Sequence, residues 1–358
     1  MKNLKWIIFI SVVSLISGCK QYIPPAEDRR FFSATSFWNQ PIPENPEIDP
    51  GSDHWISLLK SDPSGNNFGI NATKYTIPVY EVDENTTRYN VGYYYLTEQE
   101  KAHWETSRER FGHGPGFDEG VPIPDIAVPD PESDAHMAII DRKAGIAWNM
   151  WGVQRMQDGS WISNTGMRYP LNGDGIFETE DFEVINWESI HFHGPSRAAG
   201  VPAIAGLIMY EEVMKGEIRH KLACATRFNA VQEFVYPAAW TDGWLDGGLP
   251  EGAVIQLDPA LDLNQFDLTE GEKVVARALQ VYGMVNVDNA GGSPIYAEGL
   301  WSQPGKSWEG ILREWDGGIN SIPLEHYRVL KAGETVKMGD ARFKDKGPWW
   351  EMPIFQTD

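Results

Sequence analysis

Short apolar bursts separated by polar turn residues recur along most of this chain. Segments rich in Tyr, Val, Ile and Thr recur at 75–82, 89–96, 135–141 and 146–153, each bounded by Gly, Pro, Asn or Asp. Runs of that length with that punctuation predict strands and turns. The run WNMWGVQRMQDGSW, 148–161, predicts a hairpin turning at Asp158-Gly159. Helical spacing is scarce. Thr269-Glu270-Gly271-Glu272 has the spacing of a capping box, followed by Val274, Val275, Ala278, Leu279 and Tyr282 on one face and Gly283 to end it. A second helix is predicted within 198–214, interrupted by Pro202. The pattern predicts a mainly β chain, a β-sandwich or jelly-roll-like single domain over 33–358 with a few short helices. A division into two domains near 250–268 is the alternative.

The N-terminus follows a different pattern. Lys2 and Lys5 precede an apolar run, 6–16, that is too short for a spanning helix, and Ile16-Ser17-Gly18-Cys19 resembles a bacterial lipobox. Residues 1–18 are therefore expected to be a lipoprotein signal peptide, Cys19 the lipidated residue, and 19–32 a tether containing Pro24 and Pro25. Lys20 after the cysteine favours an outer-membrane anchor. The lack of an acidic run behind it favours the periplasmic side over the cell surface.

Cys224 is then the only remaining thiol, so no intrachain disulfide is expected. Lying in an apolar run, it reads as a small buried residue rather than a nucleophile. Losing the two lysines of the signal takes the net charge from −21 to −23. Such a surface repels nucleic acid and anionic lipid, and it slows a polyanionic substrate unless a local basic pocket prevails.

The chain has 15 Trp, 13 Tyr and 15 Phe, and sugar rings dock on aromatic faces, although most Trp residues serve the core. Several segments resemble a broad family of secreted bacterial proteins: SATSFWNQPIP (33–43), DAHMAIID (134–141), AAGVP (198–202), GLIMYEEV (206–213), GEIRH (216–220), ALQVYGM (278–284) and Asp288-Asn289. The likeness covers most of 33–290 in one order and attaches no activity to most members. Arg197 stands where an acidic residue is expected, and 170–193 is a longer insert. Among lipid-anchored members the chain is similar to the oligosaccharide dehydratase of marine bacterial ulvan-degradation loci. That likeness implies removal of water from a terminal uronic acid to leave a 4,5-unsaturated sugar.

Such a reaction removes H5, alpha to a carboxylate, and expels the C4 hydroxyl. It needs a cation or donors on the carboxylate, a base and an acid. The stretch 187–220 holds the densest supply. His191 and His193 share a face if they lie on a strand and could act as base and acid, while as a metal pair they lack a third ligand. Arg197 is the choice for the carboxylate clamp. His136 is a candidate that also reads as a core histidine. Tyr210 with Glu212, as acid and orienting carboxylate, and His220 beside Arg219 complete the set; a structural role competes for each.

No cofactor is expected. Asn172-Gly173-Asp174-Gly175 with Glu178 and Asp181 resembles part of a calcium loop, but Pro170 occupies the first ligand position, so a polar turn is the default. Phosphate-loop, nucleophile-elbow and HExxH motifs are absent. The expected partners are a uronate-containing oligosaccharide and, through the anchor, a membrane. A glycoside hydrolase, which needs two facing carboxylates, and a non-catalytic glycan-binding lipoprotein are the alternatives.

Overall fold

Two sheets stacked face to face organise the chain. The computed structural model describes residues 29–93, 113, 117, 119–177 and 196–337. Cys19 and the signal segment, His191, His193, Glu178, Asp181 and residues 94–96 of the second expected strand lie outside the described residues.

The central sheet has six strands in the order Gly69–Asn71, Pro294–Tyr296, Leu222–Thr226, Met284–Asn289, Val254–Leu257 and Tyr327–Val329. The flanking sheet has five, ordered Thr165–Pro170, Ile146–Trp151, Met137–Asp141, Ile77–Glu81 and Glu298–Gly299. Both are open and mixed, with parallel and antiparallel pairs. The mainly β architecture with few short helices holds. The central sheet draws strands from both sides of 250–268, so no division falls there.

Side-chain alternation along these strands separates three apolar layers, as the two-residue strand period requires. Ala223, Ala225, Val285 and Val287 point between the sheets and meet Ala138, Ile140 and Met167. Leu222, Cys224 and Met284 point the other way, onto Val275 and Leu279 of the helix Glu270–Val281. Met137, Ile139, Trp148 and Met150 cover the outer face of the flanking sheet. Strands buried on both faces read as nearly continuous apolar runs, which is why MAIID at 137–141 gives no alternating signal.

The helix Glu270–Val281 forms as its spacing predicts. The Thr269 side chain accepts from Glu272 N at 3.1 Å, and the Glu272 carboxylate accepts from Thr269 N at 2.8 Å. Gly283, with φ +73°, follows the last turn. The hairpin also forms, as Gln154–Arg155 paired with Trp161–Ser163 around Gly159, while Trp148 and Trp151 belong to the preceding strand.

The helix expected over 198–214 is confined to Tyr210–Lys215. Residues 198–208 instead run as a fully buried irregular segment between the sheets. Pro202 and the left-handed Gly200 (φ +67°) and Gly206 (φ +70°) break helical backbone along it. Gly206 (φ +70°) shows how tight the fit is: a Cβ on it would stand 2.5 Å from Ala223 N. The segment's backbone is satisfied by its walls, with Ala199 N donating to Val287 O at 3.1 Å and Ile208 N to Tyr296 O at 3.0 Å.

Candidate active site

At one end of the sheet stack a cavity of about 660 Å³ opens between the two layers. Such a volume suits a small ligand. The flanking sheet contributes Asp134 and His136 just before Met137–Asp141, Trp151 at a strand end and Thr165 at a strand start. From the central sheet come Asn71, Asp288 and Tyr296, and the buried 196–198 turn supplies Arg197. Tyr75, Trp315 and Asp242 close the sides.

Trp315 owes its place to a glycine. A Cβ on Gly69 would lie 2.4 Å from the indole Cε3, so only a bare backbone lets the ring rest on the strand. Gly69→Ala is expected to drive the indole into the cavity and weaken ligand binding several-fold, with a folding cost of about 1–3 kcal/mol. Thermal unfolding and tryptophan emission of the variant check both effects.

Arg197 is 1% exposed. Its turn is closed by Gly200 N donating to Arg197 O at 2.8 Å, with Gly200 at φ +67°. Asn149 Oδ1 secures this turn to the flanking sheet. It accepts from Tyr169 OH at 2.7 Å, Ser196 Oγ at 2.9 Å and Ala203 N at 2.6 Å. The guanidinium lies 4.0 Å over the Tyr296 ring, and its Nη2 donates to Ala203 O at 2.9 Å. Nε and Nη1 find no hydrogen-bond partner among the described residues. Burial lowers the Arg197 pKa, opposed by Tyr296 and Asp288. A guanidinium titrates so high that the group keeps its charge.

His136 sits beside that charge. Burial and then Arg197 push its pKa down to about 3, so the imidazole is neutral across ordinary pH. Its Nδ1 has no hydrogen-bond partner among the described residues. A ring so hard to protonate is a weak base and suits hydrogen bonding to a ligand better. Ala135, between Asp134 and His136, is held at φ +43°, a costly conformation for a residue with a Cβ. Gly152 N donating to Asp134 O and Val153 N to Ala135 O hold it there, at 2.9 and 3.1 Å.

The carboxyl groups shift the opposite way. Asp134 is raised by burial and Asp130, against the pull of Arg197. Burial and the neighbouring Asp242 raise Asp288 well above the usual carboxylate range. Behind them Glu251, fully buried, is raised by burial and by Asp242. Asn229 ties this floor together, donating to Glu251 Oε1 at 3.1 Å and to Asp288 O at 2.6 Å. The cavity therefore combines a fixed cation, a neutral imidazole, carboxyls biased toward the acid form and aromatic walls. Together they can hold a polar ligand and move protons on it.

No family model matches this chain, no curated protein matches it, and no solved structure does.

Of the residues singled out from sequence, Arg197 and His136 line this cavity together, and three others lie apart from it. Tyr210, Glu212 and His220 do not line this cavity. Tyr210 packs edge-on against Trp308 and donates its backbone N–H to Glu298 Oε2 at 2.9 Å. Glu212 and His220 pair with each other, Nε2 to Oε2 at 2.9 Å, and Glu212 borders a smaller cleft of about 230 Å³. The helix Tyr210–Lys215 emerges beyond the buried segment, which carries these groups away from Arg197. His191 and His193 lie outside the described residues.

The His220–Glu212 pair is a structural element with a pH signature. Burial works against the charged imidazole, but Glu212 outweighs it and the His220 pKa is raised. The pair's stabilisation is therefore complete below the unfolded pKa of about 6.5 and lost as pH rises through the folded value. His220→Gln should cost about 1–3 kcal/mol near pH ~6 and less near pH ~9. Urea titrations at both pH values, with activity unchanged, check this.

Residues 170–175 of the turn resembling a calcium loop are described, while its Glu178 and Asp181 are not. The carbonyls of Gly173, Asp174 and Gly175 accept from Ser33 N, Ser36 Oγ and Trp38 Nε1. Among the described residues no cluster of three or more His, Cys, Asp or Glu is placed to hold a metal.

Asp134, Asp242, Asp288 and Glu251 were not singled out by sequence reasoning. Two of them had a usable signal, since Asp134 stands two residues before His136 and Asp288 lies in a family-resembling segment. For Asp242 and Glu251 there was none: only the fold joins them to the rest.

Proposed function

We propose that this cavity is the active site of a carbon–oxygen lyase that dehydrates the terminal uronic acid of ulvan-type oligosaccharides. The observation that carries the reading is a fully buried arginine with unused donors beside carboxyls held toward their acid form. In this reading the Arg197 charge stabilises the substrate's C6 carboxylate as negative charge builds on it. Asp134, ionised and made a stronger base by its raised pKa, takes H5 onto its carboxylate. The electron pair forms the C4–C5 double bond, the C4–O bond breaks, and Asp288 protonates the departing oxygen so that it leaves as water. His136 hydrogen-bonds the sugar as a neutral ring. Trp151 and Trp315 offer faces to its C–H surfaces. Attached through a lipid on Cys19 at the outer membrane, periplasmic side, the enzyme would meet short oligosaccharides rather than intact polymer.

A glycoside hydrolase is the second reading, favoured by three aspartates from separate elements lining one cavity. Incubation with ulvan-derived oligosaccharides separates the two. Ultraviolet absorbance of a conjugated uronate with a mass loss of one water supports the lyase; cleavage with a gain of one water supports the hydrolase. Absence of any product, with binding retained, would leave a glycan-binding protein. His191→Ala and His193→Ala belong in the same assay, because a loss in either adds a histidine to the chemistry.

A further inference from the structure

One exposed aromatic ring on the cavity wall has a second anchored to the residue that follows it in sequence. Trp301 is 45% exposed, yet its indole Nε1 donates to Thr76 Oγ1 at 3.3 Å, which fixes one edge and leaves ring surface open to solvent. Thr76 is buried and doubly tied to buried Asp130: its N and its Oγ1 both donate to Asp130 Oδ2, at 2.8 and 2.6 Å. The neighbouring Tyr75, 39% exposed, lines the cavity itself. It is held at φ +52°, a conformation that costs a residue with a side chain on the order of 1–2 kcal/mol. Strain of that kind persists where a side chain must be aimed. Tyr75 on the cavity wall and Trp301 outside the lining are thus linked through Thr76, the residue next to Tyr75.

We propose that Tyr75 and Trp301 form an outer saccharide subsite, holding the sugar units that follow the terminal residue bound in the cavity. The proposal rests on the reading of the cavity as a uronate-oligosaccharide site. A pyranose presents an apolar C–H face edged by hydroxyls, which suits rings flanked by the polar groups of this cavity mouth. An anionic lipid surface suits the ledge poorly, because the chain carries a net charge of −21.

Calorimetric titration of the full chain with a uronate-terminated disaccharide and the matching tetrasaccharide tests this. The native protein should bind the tetrasaccharide about 5- to 10-fold more tightly, the gain an aromatic stacking contact supplies. Trp301→Ala should bind both sugars alike, at the disaccharide's affinity, and Trp301→Phe should restore most of the gain. A length-dependent gain that survives Trp301→Ala overturns the outer subsite and leaves the cavity reading intact. If the native protein binds neither sugar, the cavity reading falls and the subsite with it. Sedimentation with phosphatidylglycerol vesicles provides the other control. Vesicle binding that Trp301→Ala abolishes, with tetrasaccharide affinity unchanged, would assign the ledge to lipid and overturn the proposal.

Discussion

On the proposed lyase reading, Arg197→Met is expected to lower turnover of the oligosaccharide by about 10²- to 10³-fold while barely moving the melting temperature. The rate effect is that of removing one preorganised charge from a developing oxyanion, about 2.7–4 kcal/mol. Stability should stay close because the arginine is an incompletely satisfied buried cation: Nη2 reaches Ala203 O, but Nε and Nη1 reach nothing among the described residues. Replacing such a group by an apolar side chain of similar length is often neutral. Three titrations should move with it. Arg197 is the second cause of the low His136 pKa, so that value should climb from about 3 once the charge is gone. Asp134 and Asp288, both held down by the same charge, should rise further. NMR titration of His136 alongside steady-state kinetics reads both effects. Undiminished turnover, or an unmoved His136, would remove Arg197 from the site.

Glu272→Ala is the substitution expected to damage the fold most. The Glu272 side chain is fully buried and receives Thr269 N at 2.8 Å, Arg313 N at 2.9 Å, Arg313 Nε at 2.9 Å and Arg313 Nη2 at 2.6 Å. Truncation removes one half of a capping box and the Glu272 contacts of Arg313, whose part-exposed guanidinium keeps Asp267, a loss of about 2–3 kcal/mol. Glu272→Gln keeps the acceptor for the helix N-terminus and should lose less. Burial alone would raise the Glu272 pKa, but Arg313 and the Thr269 N–H outweigh it, and the carboxyl is held low. The linked stability is therefore present above the unfolded pKa of about 4.3 and disappears as pH falls through the folded value. Denaturant midpoints of the native and variant proteins should converge in acid. Equal midpoints at neutral pH would contradict the pairing.

Local chemistry was legible in the sequence where it acts over a few residues. The capping box at Thr269, the Asp158-Gly159 turn and the strands around 77–81, 137–141 and 146–151 all depend on neighbours within a turn or a strand. Arg197 stood out in the sequence as a charge in a small-residue turn, but its complete burial did not, because that depends on the sheets that enclose the turn. Reading 198–214 as a helix failed because Ala, Val, Ile and Leu at that density suit a helix equally well, whereas Gly200, Pro202 and Gly206 break it. Tyr210, Glu212 and His220 were grouped with Arg197 by closeness in sequence, whereas the fold separates them. Conversely, Asp242, Glu251 and Asp288 meet through strands far apart in the chain, and no local pattern records that meeting.

The carboxyl floor beneath the cavity has a consequence for the whole molecule's exchange of protons with solvent. In an unfolded chain Asp288 and Glu251 would ionise near pH ~4. In the fold, burial and the proximity of Asp242 lift both well above that. Between the unfolded and folded values folding is then a proton-uptake reaction, and the stability these groups contribute is complete in acid and lost as pH rises through their folded values. The heat of unfolding should accordingly depend on the ionisation enthalpy of the buffer, since each molecule that opens hands its protons to the surrounding medium.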